Sequence, residues 1–119
     1  MSMNCKMNIN DFSLYVKLEG DMDQLTSNNL RIKLNEAIVK YKIKNLVLNL
    51  KNVNFIDSSG IGVIIGRYSQ IKNNGGIIYL CELNEKLYRI IQLSGLTKIC
   101  VIKDTEESVR WNLEVKKYA

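Results

Sequence analysis

The chain has 119 residues, a length that fits one domain with a single hydrophobic core. It contains 46% hydrophobic and 24% charged residues, which is typical of a soluble globular protein. It has no histidine, and this excludes the Ser-His-Asp triad, Cys-His catalysis and every metal site that needs an imidazole ligand.

The formal net charge is +5, from 17 Lys and Arg against 12 Asp and Glu. Residues 1–60 hold 8 basic and 6 acidic side chains and residues 61–119 hold 9 and 6, so the excess is spread evenly along the chain. A protein that binds nucleic acid normally concentrates its basic residues in a patch or stripe. The sequence therefore predicts no direct contact with nucleic acid.

Several features favour a cytoplasmic protein. No apolar run approaches the roughly 18 residues of a membrane span, and the first ten residues lack the apolar segment of a signal peptide. The three cysteines, Cys5, Cys81 and Cys100, are widely spaced. We expect free thiols in a reducing compartment, two of them buried and one near the N-terminus.

The first quarter of the chain predicts two strands. Alternating apolar residues over 12–18 indicate a half-buried strand, with its buried face formed by Phe12, Leu14, Val16 and Leu18. A shorter strand around Met7 and Ile9 precedes it, with Asn10-Asp11 as the turn. We expect Gly20 to end the second strand and residues 20–24 to form a loop.

Helices and strands alternate in the rest of the chain. Thr26 or Ser27 is expected to cap a first helix whose apolar face is Leu30, Leu34, Ala37, Ile38 and Tyr41. Residues 46–50 form a nearly continuous apolar run, typical of a strand covered on both faces. A second helix begins near Ser58 or Ser59, with Ile61, Ile64, Ile65, Tyr68 and Ile71 at helical spacing, and ends at residues 73–76.

The last third continues the same alternation. Residues 77–81 predict a strand, and a helix from Leu83 or Asn84 ends at Gly95. Residues 99–102 predict the last strand, and 104–107 open a final helix anchored by Val109, Trp111 and Leu113. The predicted order is β-β-α-β-α-β-α-β-α. We expect one α/β domain over 1–119, with four helices and a mixed, mostly parallel sheet.

Residues 57–62, Asp-Ser-Ser-Gly-Ile-Gly, form the one segment that looks like a site. Backbone N–H groups and the dipole at a helix N-terminus stabilise negative charge, so Ser58 could hold a phosphate there without unfolding the domain. An ordinary helix cap explains the same residues, and Gly62 and Gly66 could let the helix approach the sheet closely.

Other nucleotide or catalytic motifs fit this segment poorly. The glycine spacing is one residue too long for a dinucleotide fingerprint, no lysine follows for a P-loop, and a nucleophile elbow needs GxSxG and a base. Asp57, at the end of a strand, is also comparable to the phosphorylated aspartate of a receiver domain. That class of domain needs an acidic pair after the first strand, and this sequence lacks it. A small-ligand or nucleotide-binding domain and an enzyme with Ser58 as nucleophile remain as alternatives.

Residues 55–68, FIDSSGIGVIIGRY, resemble the anti-sigma factor antagonists, the bacterial branch of the STAS domain family. The resemblance continues through 18–23, 47–50, 70–72, 75–76, 94–96 and 98–99, so it covers nearly the full chain, and it is closest to the sporulation sigma F branch. Gln24-Leu25 departs from the family, where relatives often have a polar pair that includes histidine.

The resemblance implies a single STAS-type domain that is acted upon and has no catalysis or cofactor of its own. Ser58 matches the serine that an anti-sigma factor, itself a serine kinase, phosphorylates with ATP, and Ser59 is the competing acceptor. The unmodified antagonist binds that kinase and releases sigma F, and a serine phosphatase resets the modified form. The implied partner-binding residues are Asp23, Asp57, Ser58, Ser59, Gly60 and Gly62.

The negative charge that a phosphate adds is consistent with inactivation of the antagonist by phosphorylation. A phosphate on Ser58 would add close to two negative charges beside Asp57 and Asp23 within an interface. An evenly basic surface, in contrast, is expected to favour approach to an acidic partner.

Overall fold

The computed structural model describes residues 4–118, which form one five-stranded sheet and four α-helices. The strands are β1 (Asn4–Asn10), β2 (Ser13–Met22), β3 (Asn45–Ile56), β4 (Ile78–Cys81) and β5 (Cys100–Lys103). The helices are α1 (Gln24–Lys40), α2 (Ser58–Asn73), α3 (Glu85–Ser94) and α4 (Glu106–Lys117), and a 3-10 turn covers Leu96–Lys98. The predicted α/β class and element order are confirmed.

The strands lie in the order β1-β2-β3-β4-β5. Strand β1 is antiparallel to β2, and all other neighbours are parallel. Each parallel strand is followed by a helix that crosses back, so the carboxyl ends of β2–β5 and the N-termini of α1–α4 lie at one edge. We call this the carboxyl edge and the opposite one the amino edge.

The sheet is covered on both faces. One face packs against α1, α2 and α3 in the larger cluster, which includes Leu14, Leu48 and Val63. The other face packs against α4 in a smaller cluster of Tyr15, Val47, Tyr79, Cys81 and Val109. Residues 46–50 are all buried, which confirms that β3 is covered on both faces.

The turn between β1 and β2 differs from the prediction by one residue. Asp11 and Phe12 form it, with φ of 49° and 65°, the left-handed conformation that a tight two-residue hairpin turn requires. Phe12 is therefore not on the buried face of β2, as predicted, but 63% exposed at the tip of the hairpin.

Strand β2 is longer than the sequence predicts, and the loop expected over 20–24 is wrong. Gly20 pairs with Val53 and Met22 pairs with Ile56, with register shifts on either side of Gly20. The cause is the length of β3, which continues to Ile56 and gives these residues a partner. Gly20 has φ 116°, so its backbone follows the irregular register without ending the strand.

The predicted starts of α2 and α3 are confirmed. Helix α2 begins at Ser58 and ends at Asn73, and α3 is capped by Asn84 at its start and by Gly95, with φ 84°, just after its last residue. On α1 the predicted face is buried except for Tyr41, which lies just beyond the last helical residue and is exposed. On α2, Ile65 is exposed instead of buried.

Helix α4 is anchored by fewer residues than predicted. Val109 is fully buried and Leu113, one turn later, packs against the same cluster. Trp111 is 72% exposed. Because consecutive helical residues are rotated by about 100°, position 111 lies on the side of the helix opposite 109 and 113.

Two cysteines, Cys81 and Cys100, are buried, as predicted, whereas the N-terminal Cys5 is half-buried, and all three are free thiols. Burial raises the pKa of Cys81 and of Cys100 to about 12, so neither is a reactive thiolate at neutral pH. Among the residues described, no helix is long and apolar enough to cross a bilayer.

Candidate functional site

The junctions β2–α1 and β3–α2 lie side by side at the carboxyl edge. Met22 pairs with Ile56 across the two strands, and the Asp57 amide donates a hydrogen bond of 3.1 Å to the Met22 carbonyl oxygen. Asp23 caps α1 and Asp57 caps α2, with nearly identical extended backbones. The structure therefore brings together the two segments that the sequence singled out.

Asp57 is occupied as the cap of α2. Its Oδ1 accepts hydrogen bonds from the amides of Ser59, at 2.8 Å, and Gly60, at 3.2 Å. These two N–H groups are therefore not free to bind a phosphate, in contrast to the expectation from sequence, and the same contacts count against a nucleotide at this helix start. Ser58, the first residue of α2, is exposed, and Ser59 is half-buried.

The two glycines of the motif have different surroundings. A Cβ on Gly60 would lie 2.8 Å from Ile56 Cγ1, from Met22 Cβ and from Met22 O, so only glycine fits where α2 starts against the sheet. Gly62 is exposed, and a Cβ added to Gly62 or to Gly66 would have no neighbouring atom within 4 Å. The prediction that Gly62 and Gly66 allow close approach is wrong, since Gly60 has that role.

Asp23 and Thr26 form a capping box at the start of α1. Asp23 Oδ1 accepts from the Thr26 amide at 3.0 Å, and Thr26 Oγ1 accepts from the Asp23 amide at 3.1 Å. The hydrogen bond from the Thr26 amide lowers the pKa of Asp23. The cap is thus Asp23 instead of Thr26 or Ser27, and the spacing Asp-x-x-Thr was the signal that the sequence interpretation missed.

Acidic side chains are concentrated at the carboxyl edge. Eight of the 12 carboxylates lie at strand ends or in first helical turns there, with only Lys86 and Lys103 among them: Asp21, Asp23, Asp57, Glu82, Glu85, Asp104, Glu106 and Glu107. The charge that is even along the sequence is therefore uneven in space, and the expected evenly basic surface is wrong. The edge that presents Ser58 is therefore acidic.

Two exposed apolar side chains border these junctions, and the sequence interpretation did not select them. Leu25, in the first turn of α1, is 79% exposed, and Phe55, near the end of β3, is 42% exposed. Phe55 lies opposite Asp21 in the β2–β3 register, and its side chain points away from the face on which Ile56 is buried. Their exposed apolar surface is available to contact a protein that docks at this edge.

The arrangement offers an accessible hydroxyl, two engaged carboxylates and apolar contacts at its border. Within residues 4–118, no group of three His, Cys, Asp or Glu side chains could hold a metal ion. These features suit a modification site inside a docking surface better than a binding pocket.

Comparison with known proteins places the fold and this segment in a family. The STAS domain model matches residues 4–109, and the chain belongs to the STAS domain family. It is 40% identical over 115 residues to the anti-sigma F factor antagonist of Paenibacillus polymyxa, across 97% of this chain and 98% of that protein. It is 31% identical over 107 residues to the anti-sigma-B factor antagonist of Bacillus subtilis strain 168, across 90% and 96%.

Solved structures give the same fold. The anti-sigma factor antagonist SpoIIAA in its unphosphorylated form superposes with a TM-score of 0.74 at 19% identity, across 92% of this chain and 96% of that one. Its phosphorylated form superposes with a TM-score of 0.71 at 22% identity, across 90% and 97%. STAS anti-sigma factor antagonists are non-enzymatic regulatory proteins, so Ser58 is not a catalytic nucleophile.

Proposed function

We propose that this chain is an anti-sigma factor antagonist that, unphosphorylated, binds an anti-sigma factor with serine kinase activity and so releases sigma factor F of sporulation in the cytoplasm. Similarity over nearly the whole length to an anti-sigma F factor antagonist supports this. The choice of the sigma F circuit rests on this one relative at 40% identity, because a second anti-sigma F factor antagonist is 27% identical and an anti-sigma-B factor antagonist is 31% identical.

The exposed Ser58 at the first position of α2 is the single observation on which the proposal depends. Its Oγ attacks the γ-phosphorus of ATP bound to the kinase, the bond from that phosphorus to the β–γ bridging oxygen breaks, and ADP leaves. The serine proton passes to a base on the kinase. This chain needs no cofactor of its own, because ATP and the base belong to the partner.

Phosphorylation of Ser58 weakens binding of the partner to the docking surface. The phosphate adds close to two negative charges to an edge where Asp23 and Asp57 already cap the two helices. Docking would then have to bury a dianion beside these carboxylates, at a cost in desolvation and repulsion.

A serine phosphatase resets the protein by hydrolysing the phosphoserine. Asp23, Asp57, Ser58, Ser59 and Gly62 form the partner-binding surface, whereas Gly60 acts from beneath it because it is buried.

Mass spectrometry after incubation with the anti-sigma F kinase and ATP tests the acceptor. We expect one added phosphate on Ser58 in the native protein and in Ser59→Ala, and none in Ser58→Ala. A phosphate on Ser59 would contradict the site assignment. No phosphate on any serine, together with no complex between the two proteins in the presence of ATP or ADP, would contradict the proposed function.

A further inference from the structure

We propose that a cleft at the amino edge, remote from Ser58, binds a small anion with several phosphate groups. The cleft has a volume of about 720 Å³ and lies between the β1–β2 turn, the α1–β3 connection and the C-terminal half of α4. Its charged lining consists of five cations and two carboxylates: Lys42, Lys44, Arg110, Lys116, Lys117, Asp11 and Glu114. The lining side chains carry a formal charge of +3, against +5 for the whole chain.

Two of the five cations are already paired. Lys117 Nζ lies 3.0 Å from Asp11 Oδ2, and Arg110 binds Glu106 at 3.1 Å and stacks 3.9 Å from the centre of the Tyr15 ring. The other three, Lys42, Lys44 and Lys116, form no ion pair with any carboxylate of residues 4–118. Glu114 is also without an ion pair among the residues described, so the unpaired side chains leave a formal charge of +2 in the cleft that an anion would neutralise.

Helix ends explain only part of this charge. Lysines commonly occupy last helical turns, where they offset the negative end of the helix dipole, and Lys116 is such a residue in α4. Lys42 and Lys44 lie beyond the end of α1, in the connection to β3. No helix-dipole argument requires lysine at both of those positions.

The backbone at these two lysines is held in place. Lys42 has φ 50°, a left-handed conformation that favours glycine or asparagine, and the Ile43 amide closes the turn on the Ile38 carbonyl oxygen at 3.0 Å. The Lys44 carbonyl group lies against Gly76, where a Cβ would not fit. Lys42 therefore lines the charged cleft from a turn whose backbone is fixed, which favours contact with a ligand bound there.

The size and chemistry of the cleft favour a compact phosphate ligand. Small-molecule sites have volumes of about 300–1,000 Å³, so this cleft is of the right size for one. A ligand with several phosphate groups carries many charged oxygens on one small molecule and can contact several of the lining cations at once, whereas the carboxylates of a peptide are separated along the chain. The hydroxyl of Tyr79, which accepts from Asn112 Nδ2 at 2.8 Å and lies 3.4 Å from Lys116 Nζ, adds a polar wall beside the cleft.

Calorimetric titration of the full chain with inorganic triphosphate tests the proposal. The variant Lys42→Asn with Lys44→Gln removes two cleft charges, and asparagine still tolerates the left-handed turn. The control Lys51→Gln with Lys86→Gln removes the same charge from exposed positions outside the cleft. We expect the cleft variant to bind about tenfold more weakly, equivalent to about 1.4 kcal/mol, and the control to bind like the native protein.

Amide chemical shifts locate the ligand and separate this proposal from the proposed function. On adding triphosphate, we expect changes at residues 41–45 and 113–118 and none at residues 57–62, both in the native protein and in Ser58→Ala. Equal weakening in both double variants, shifts centred on α2, or equal affinity for a polyglutamate peptide would each overturn the proposal. So would the absence of binding at millimolar triphosphate. None of these outcomes bears on phosphorylation of Ser58.

Discussion

The Asp57 amide donates a hydrogen bond to the Met22 carbonyl oxygen, at 3.1 Å, and so joins the residue before the candidate acceptor to the residue before the α1 cap. The bond continues the β2–β3 pairing one residue beyond the sheet. Met22 is fully buried, so this point is anchored in the core. The two helix caps are therefore joined through the backbone into one unit, and Ser58 lies on the surface of this unit.

Replacing Gly60 by alanine tests how tightly α2 is seated on this unit. The new Cβ would lie 2.8 Å from the Met22 carbonyl oxygen. This oxygen belongs to the backbone of β2, which is paired with β3, so it cannot move aside. We expect Gly60→Ala to reduce the free energy of unfolding by about 1–3 kcal/mol, as overpacking does. Urea denaturation measures this.

Gly62→Ala is the matched control in the same helix. No atom lies within 4 Å of where its Cβ would be, so the change should be neutral or stabilising by up to about 1 kcal/mol, because alanine favours the helix. Equal stability of the two variants would show that the close approach at Gly60 does not constrain the fold.

Two substitutions at Asp57 distinguish the stability that comes from its capping hydrogen bonds from the stability that comes from its charge. Asp57→Ala removes the acceptor of the Ser59 and Gly60 amides and is expected to cost about 1 kcal/mol of stability. Asp57→Asn retains a capping oxygen and should lose much less. Thermal denaturation of both variants decides this, and a loss as large in Asp57→Asn as in Asp57→Ala would mean that the charge, instead of the cap, stabilises α2.

The element order and both ends of α2 could be predicted from sequence because they depend on local patterns. Apolar spacing located the buried faces, and Asn73-Asn74-Gly75 marked the helix end. The C-terminal extension of β2 could not be predicted in this way. Gly20 and Asp21 resemble a loop, and they are in a strand because β3 pairs with them through Val53 and Phe55.

The concentration of acidic residues at one edge of the sheet could not be predicted by counting charges along the chain either. Asp23 and Glu107 are more than 80 residues apart in sequence, yet the parallel sheet brings the first turns of α1 and α4 to one edge. The same topology brings Asp11 to Lys117 at the other edge. The separation of acidic and basic residues between the two edges therefore depends on the crossover connections, and it can be predicted only when the topology of the sheet is known.

The hydrogen bond from the Thr26 amide makes Asp23 sensitive to pH. Its pKa is lowered in the folded state, so its contribution to stability is fully present above the unfolded value of about 3.9 and is lost as pH falls through the folded pKa. We expect the carboxyl carbon of Asp23 to titrate below about pH 3.9 by NMR. Thr26→Ala keeps the Thr26 amide and removes only the hydroxyl, which also donates to Asp23 Oδ1 at 3.1 Å, so it should raise that midpoint by only part of the shift. An unchanged midpoint would show that the Thr26 hydroxyl does not stabilise the Asp23 carboxylate.

Ser58→Asp and Ser58→Ala should have opposite effects on the proposed switch. The aspartate places a charge on the docking surface beside Asp57 and is expected to weaken binding to the anti-sigma kinase by about tenfold or more, equivalent to about 1.4 kcal/mol. The alanine should bind and resist inactivation by ATP. Surface plasmon resonance gives the affinities. Undiminished sigma factor release by Ser58→Asp in a transcription assay would contradict a charge-based switch.

The acidic carboxyl edge predicts the ionic-strength dependence of docking. If the partner presents a basic face to this edge, opposite charges steer the encounter, and the association rate should fall as salt rises toward about 0.5 M, where the screening length is only about 4 Å. Asp21→Asn removes one charge from this edge and should lower the association rate at low salt while changing dissociation little. Glu114→Gln, at the amino edge, removes the same charge and should leave the rate nearly unchanged. An association rate that rises with salt, or equal effects of the two variants, would show that docking does not use the acidic edge.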